Sequence, residues 1–98
     1  MLADSKVYTL SHISDGYLLP PVMKSSVSMI VGVLKYELLI IDGFEMSDDV
    51  ADAMRRNIAH SFKKGERPFT MVAKDKNDKK HVFRVDKHNI QIGVQSND

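Results

Sequence analysis

The chain has 98 residues, of which 43% are apolar and 28% charged, with no cysteine and a formal net charge of +1. That length fits one domain with one modest core, and the composition is globular, not disordered. The lack of cysteine excludes a disulfide framework, a thiolate metal site and a cysteine nucleophile. The longest uncharged apolar run, residues 29–34, is far short of the roughly 20 residues a membrane helix needs.

The first ten residues contain no basic stretch followed by an apolar one. No secretion signal is read there, and a cytoplasmic location is expected. Residues 5–13 alternate, with Val7, Thr9, Ser11 and Ile13 on one side and Tyr8, Leu10 and His12 on the other, as in a strand. The segment SDGY at 14–17 has turn chemistry, Gly16 being free to take positive φ. Pro20 and Pro21 remove two backbone donors, so residues 18–22 are expected to form an extended connector. Residues 27–41, VSMIVGVLKYELLII, are rich in β-branched residues and apolar on both alternating faces. They read as one long strand bent at Gly32, in preference to two strands meeting near 33–35.

The clearest element comes next. Ser47 is a good N-cap, and Asp48 and Asp49 fall in a first turn, where the helix dipole favours anions. Lys63, Lys64 and Gly65 suit a helix end. Val50, Met54, Ile58 and Phe62 recur every four residues as an apolar stripe, and Asp52 is spaced to pair with Arg56. A helix over residues 48–64 is expected to cover one face of a sheet. Phe69, Met71 and Ala73 then alternate with Thr70, Val72 and Lys74. After the polar turn DKNDKK, His81, Phe83 and Val85 alternate with Val82, Arg84 and Asp86. Ile90, Ile92 and Val94 share a face of a last segment, and residues 95–98 are expected to fray. The expected class is α+β, with one amphipathic helix packed on an antiparallel sheet of four to five strands. Residues 1–98 form a single domain in which 1–26 are strand, turn and proline-containing connector.

Charge is unevenly placed. Residues 1–50 carry three basic and seven acidic side chains, whereas residues 51–98 carry eleven and six. Arg56, His60, Lys63 and Lys64 line one face of the expected helix. With Arg55, Arg67 and the hairpin lysines Lys76, Lys79 and Lys80 they are the candidate nucleic-acid-binding residues. The plainer reading is a charged hairpin tip that keeps a sheet edge soluble, with cations in a last helical turn that suit the dipole.

None of His12, His60, His81 and His88 is paired at metal-site spacing, and DKNDKK lacks the glycine of a calcium loop. No nucleophile elbow, phosphate-binding glycine loop or metalloprotease motif occurs, so no catalytic residue, metal or cofactor is expected. The leftover apolar face of residues 27–41 points instead to self-association. Met29, Val31, Val33, Lys35 and Glu37 are the expected dimer interface. Short, cysteine-free, motif-poor chains of this kind resemble the accessory proteins of bacteria and their phages. The expected function is a non-catalytic protein-interaction or regulatory module acting as a homodimer. The alternative is a nucleic-acid-binding module using the basic patch.

Overall fold

A computed structural model describes residues 2–65 and 67–93, with side chains described within 5–65 and 67–90. The expectation of a frayed 95–98 tail lies outside the described residues. Seven elements follow in order: β1 (Leu2–Ser14), β2 (Tyr17–Leu18), β3 (Val22–Lys24), α1 (Val27–Asp42), α2 (Asp48–Lys63), β4 (Phe69–Lys74) and β5 (Lys80–Gly93). The fold is α+β, with a five-stranded antiparallel sheet and two helices.

The single-helix expectation is corrected here: residues 27–41 are helix α1, not a bent strand. Ser26 caps its start, its hydroxyl accepting from the Met29 N–H at 3.2 Å. Gly43 ends it in the left-handed region at φ 67°. Its N–H donates to the Leu39 carbonyl and that of Phe44 to the Leu38 carbonyl, as helix-terminating glycines do. The misreading has a physical cause. Alternation distinguishes strand from helix only when one face is polar, and α1 is apolar nearly all round. Length does not decide either, since β1 and β5 run to 13 and 14 residues; the caps at Ser26 and Gly43 are what mark the helix.

Helix α2 starts where expected, with the Ser47 hydroxyl accepting from the Val50 N–H and Asp48 and Asp49 in the first turn. Ile58 and Phe62 of its stripe are buried and Met54 half-buried, but Val50 is 42% exposed. Asp52 pairs with Arg56 at 3.4 Å and with Arg55 at 2.9 Å.

The sheet order is β2-β1-β5-β4, with β3 beside β2 along the same edge of β1. β1 and β5 pair along their whole length, from Leu2↔Gly93 to Ser14↔His81. The expected strand at 81–86 and, as far as Gly93, the one expected at 89–94 are thus parts of one long β5, residue 94 lying outside the described residues. One sheet face, carrying Leu10, Phe83, Val85, Phe69 and Met71, packs against Ile30, Val31, Leu34 and Leu38 of α1 and Ile58 and Phe62 of α2. The other face carries Thr9, Ser11, Ile13, Thr70, Val72 and Arg84. The molecule measures 60 × 29 × 23 Å and its radius of gyration is 15.8 Å, above the roughly 13 Å of a compact chain this size. The long β1–β5 ribbon accounts for the excess.

Leu34 and Ile58 are completely buried on the two helices. Substituting either by Ala is expected to cost about 2–5 kcal/mol. Val50→Ala, at an exposed position, should cost well under ~1 kcal/mol. Chemical denaturation monitored by circular dichroism checks the contrast.

Candidate functional site

The register of β1 and β5 builds a chain of polar side chains at one end of the core. His12 sits directly opposite Phe83, so His81 is its diagonal neighbour on the same face. The two imidazoles meet at 2.9 Å, Nε2 of His12 to Nδ1 of His81, and His12 stacks on the Phe83 ring at 4.3 Å. Both histidines are buried. On its far side His81 Nε2 lies 2.9 Å from Asp75 Oδ2.

Asp75 organises the hairpin tip. Its Oδ1 accepts from the N–H groups of Asn77 and Lys79, and Asp78 takes positive φ to close the turn. DKNDKK is therefore a turn wound on one aspartate, with the second carboxylate oxygen left to hold His81. The hydrogen bond from His81, with those backbone N–H groups, holds the Asp75 carboxyl below the usual carboxylate range. Asp75 is then an ionised acceptor, so His81 Nε2 carries a proton. In neutral His81, Nδ1 accepts, His12 Nε2 donates, and His12 Nδ1 keeps a bare lone pair. Glu37 of α1 approaches that nitrogen, with Oε2 at 3.8 Å. Burial lowers the His12 pKa, against the raising effect of Glu37, and His81 lowers it further. The four groups form a line, not a shell: among the described residues no three His, Cys, Asp or Glu side chains are arranged to hold a metal ion.

Beside His12, along the edge of β1, runs a strap. The Leu19 N–H donates to the His12 carbonyl at 2.9 Å, and Val22 pairs with Leu10 in β3. Pro20 and Pro21 between these anchors have no backbone N–H to donate to β1. A cavity of about 240 Å³ remains under the strap, lined by Leu10, His12, Leu19, Pro20, Val22, Val33 and Glu37.

The expected nucleic-acid residues fall into separate places. Arg55 and Arg56 are engaged with Asp52. His60, Lys63, Lys64 and Arg67 are exposed around the end of α2. Lys63 joins Lys6 and Lys87 around a groove floored by Tyr8 and Phe62. Lys76, Lys79 and Lys80 stand at the other end of β5. Lys79 pairs with Asp15 at 3.7 Å, and Lys76 lies near Gly43 at the C-terminus of α1. Lys80 and Lys87 are seven residue steps apart along β5, about 23 Å at strand rise. The helix end and the hairpin tip thus do not merge into one basic patch.

The residues expected at a dimer interface also spread, because a helix turns where a strand alternates. Val31 is in the core and Val33 half-buried, Glu37 faces His12, and Lys35 lies 4.0 Å from Asp48. Only Met29 stands on the outer apolar face, now joined by Gly32, Tyr36, Leu39 and Ile40.

No family model, curated protein or solved structure matches the chain. Sequence reasoning missed the His12–His81 centre because the two lie 69 positions apart. The available signal was phase: each histidine follows the buried alternation of its strand.

His12 has a pKa lowered on folding from an unfolded value near 6.5. Its neutral form is therefore favoured in the folded chain, so stability is fully present above about pH 6.5 and falls as pH drops below that value towards the folded pKa. Asp75, lowered from 3.8, acts only in the acid range. Thermal melts from pH 7.5 to 5.5 should show a decline that His12→Gln, which keeps a donor for His81, flattens. A wild-type melting temperature constant over that window would contradict a neutral buried His12.

Proposed function

We propose that the chain is a non-catalytic protein-interaction module that works as a homodimer, joined through the outer face of α1. The supporting observation is that α1 is apolar on both sides. Its inner side, Ile30, Val31, Leu34 and Leu38, is buried, yet Met29, Tyr36, Leu39 and Ile40 on its outer side are 53%, 62%, 46% and 58% exposed. A helix apolar all round belongs in an interior, and the rest of this chain covers one side only.

A second copy fits this face by shape. Met29, Gly32, Tyr36 and Leu39 follow the alternating three- and four-residue spacing of a helix–helix seam. In an antiparallel pair, Tyr36 of one copy meets Gly32 of the other, so bulk faces space in those two layers, and Met29 meets Leu39 as an apolar contact on either side of them. Gly32 has no atom within 4 Å of where a Cβ would stand, so the monomer has no packing need for glycine there.

Gly32→Ala is expected to stabilise the isolated fold by about 0.5–1 kcal/mol, as alanine for glycine does inside a helix. Tyr36→Glu should leave the fold intact and yield a monomer in sedimentation runs where the wild type is a dimer. A monomeric wild type at high micromolar concentration would remove the proposal. A dimer unaffected by Tyr36→Glu would place the interface elsewhere.

A second reading, nucleic-acid binding, has its own support in the groove where Lys6, Lys63 and Lys87 surround Tyr8 and Phe62. Reversing Lys63 and Lys64 to Glu should abolish retention on an anionic polymer at low salt, with reversal of Lys35 having little effect. No retention of the wild type at low salt would retire this reading.

A further inference from the structure

We propose that the cavity under the 19–22 strap is a binding site for a small organic ammonium ion, a primary amine in its protonated form carrying a compact hydrocarbon body. The inference is independent of self-association and rests on the floor and walls of that cavity.

The floor presents two acceptors to one point. Asp75, whose Oδ1 accepts from two backbone N–H groups, accepts at Oδ2 from the Nε2–H of His81. When Nε2–H is the only N–H of His81, its Nδ1 accepts at 2.9 Å from the Nε2–H of His12. The lone pair left on His12 Nδ1 faces Glu37 Oε2 at 3.8 Å, too far for a hydrogen bond between them. Two hydrogen-bond acceptors that close, with nothing shared between them, suit a donor group that reaches both. An –NH3⁺ group carries three donors and the charge that complements Glu37. A hydroxyl carries one donor and no charge, so it satisfies one acceptor and leaves the carboxylate uncompensated.

The walls suit the remainder of such a molecule. Leu10, Leu19, Val22 and Val33 present apolar groups, and Pro20 closes the strap side without exposing an N–H. The volume, about 240 Å³, is below that of sites for drug-sized ligands, which begin near ~300 Å³. A ligand the size of cyclohexylammonium is therefore appropriate. The same elements hold the site in shape. His12 is fixed by its stacking on Phe83 and its bond to His81, Glu37 is carried by α1, and the strap is tied at Leu19 and Val22. Binding requires no rearrangement of the core.

The test is a titration of the full chain at pH 7.5 with cyclohexylammonium chloride and, separately, with cyclohexanol, followed by methyl NMR. The expected result is saturable shifts at the methyls of Leu10, Leu19, Val22 and Val33, with the ammonium binding about tenfold or more tightly than the alcohol. Glu37→Gln should weaken the ammonium by a similar factor and leave cyclohexanol unchanged. The ammonium–alcohol comparison stands on the wild type alone if that variant folds poorly. The proposal is overturned if the two ligands bind equally, if the shifts lie away from these four residues, or if the ammonium produces none at millimolar concentration.

Discussion

The pairing of the chain's two ends is the constraint on which the remaining structure depends. All of β1, Leu2–Ser14, lies antiparallel to β5, Lys80–Gly93, in one uninterrupted register. Side chains on a strand alternate between faces, so a shift of one residue would exchange every buried group for an exposed one. This register puts Leu10 beside Val85 in the core and His12 beside Phe83 at its edge. It also puts Tyr8 beside Lys87, where the core gives way to the basic groove. Read along the helix-facing side of the ribbon, the character runs from lysine through aliphatic to histidine. Three kinds of surface thus follow from one ladder. Such a ladder closes the whole intervening chain as a loop, and the entropy of that closure is offset only when the helices pack down on the sheet.

The two helices meet that requirement differently. α2 has a narrow apolar stripe and a charged outer side, and its Asp52–Arg55–Arg56 group lies in solvent, where such pairs contribute little to stability. α1 gives the core more of its fully buried side chains and still presents apolar bulk outward. Its inner side is explained by the sheet it covers. Its outer side has no counterpart among the described residues, and this imbalance motivates the second copy. Along the edge of β1, two prolines between two anchored residues interrupt the pairing and leave space beside His12.

The polar line at the core edge explains a stretch that looks, as sequence, like a polyanion site. In KDKNDKKH the lysines are at the surface, two of them close to Asp15 and Asp78, while the structural burden falls on Asp75. One carboxylate winds the turn and orients His81, which in turn fixes the tautomer of His12. A buried histidine pair is tolerable because each ring nitrogen at their contact has a partner, and no buried side-chain polar atom is left without one among the described residues.

What the sequence determined by itself was whatever depends on neighbours within a few residues. Ser47 with Asp48 and Asp49 specified the start of α2, and alternation specified which sides of β1, β4 and β5 face inward. The turn chemistry of Asp15-Gly16 and of residues 75–80 specified where the chain reverses. The local signals for α1 were present too, in Ser26 before it and Gly43 after it. Neither reads as a cap in the sequence alone, because an apolar pattern on every side carries no period to mark a helix between them. Only the tertiary structure decided which distant residues meet. The contact of His12 with His81, the approach of Glu37 from α1, and the gathering of Lys6, Lys63 and Lys87 all arise from a register set by burial of the whole core. So does the separation of the hairpin lysines from the end of α2. Register is a property of the packed sheet, and no short window of sequence contains it.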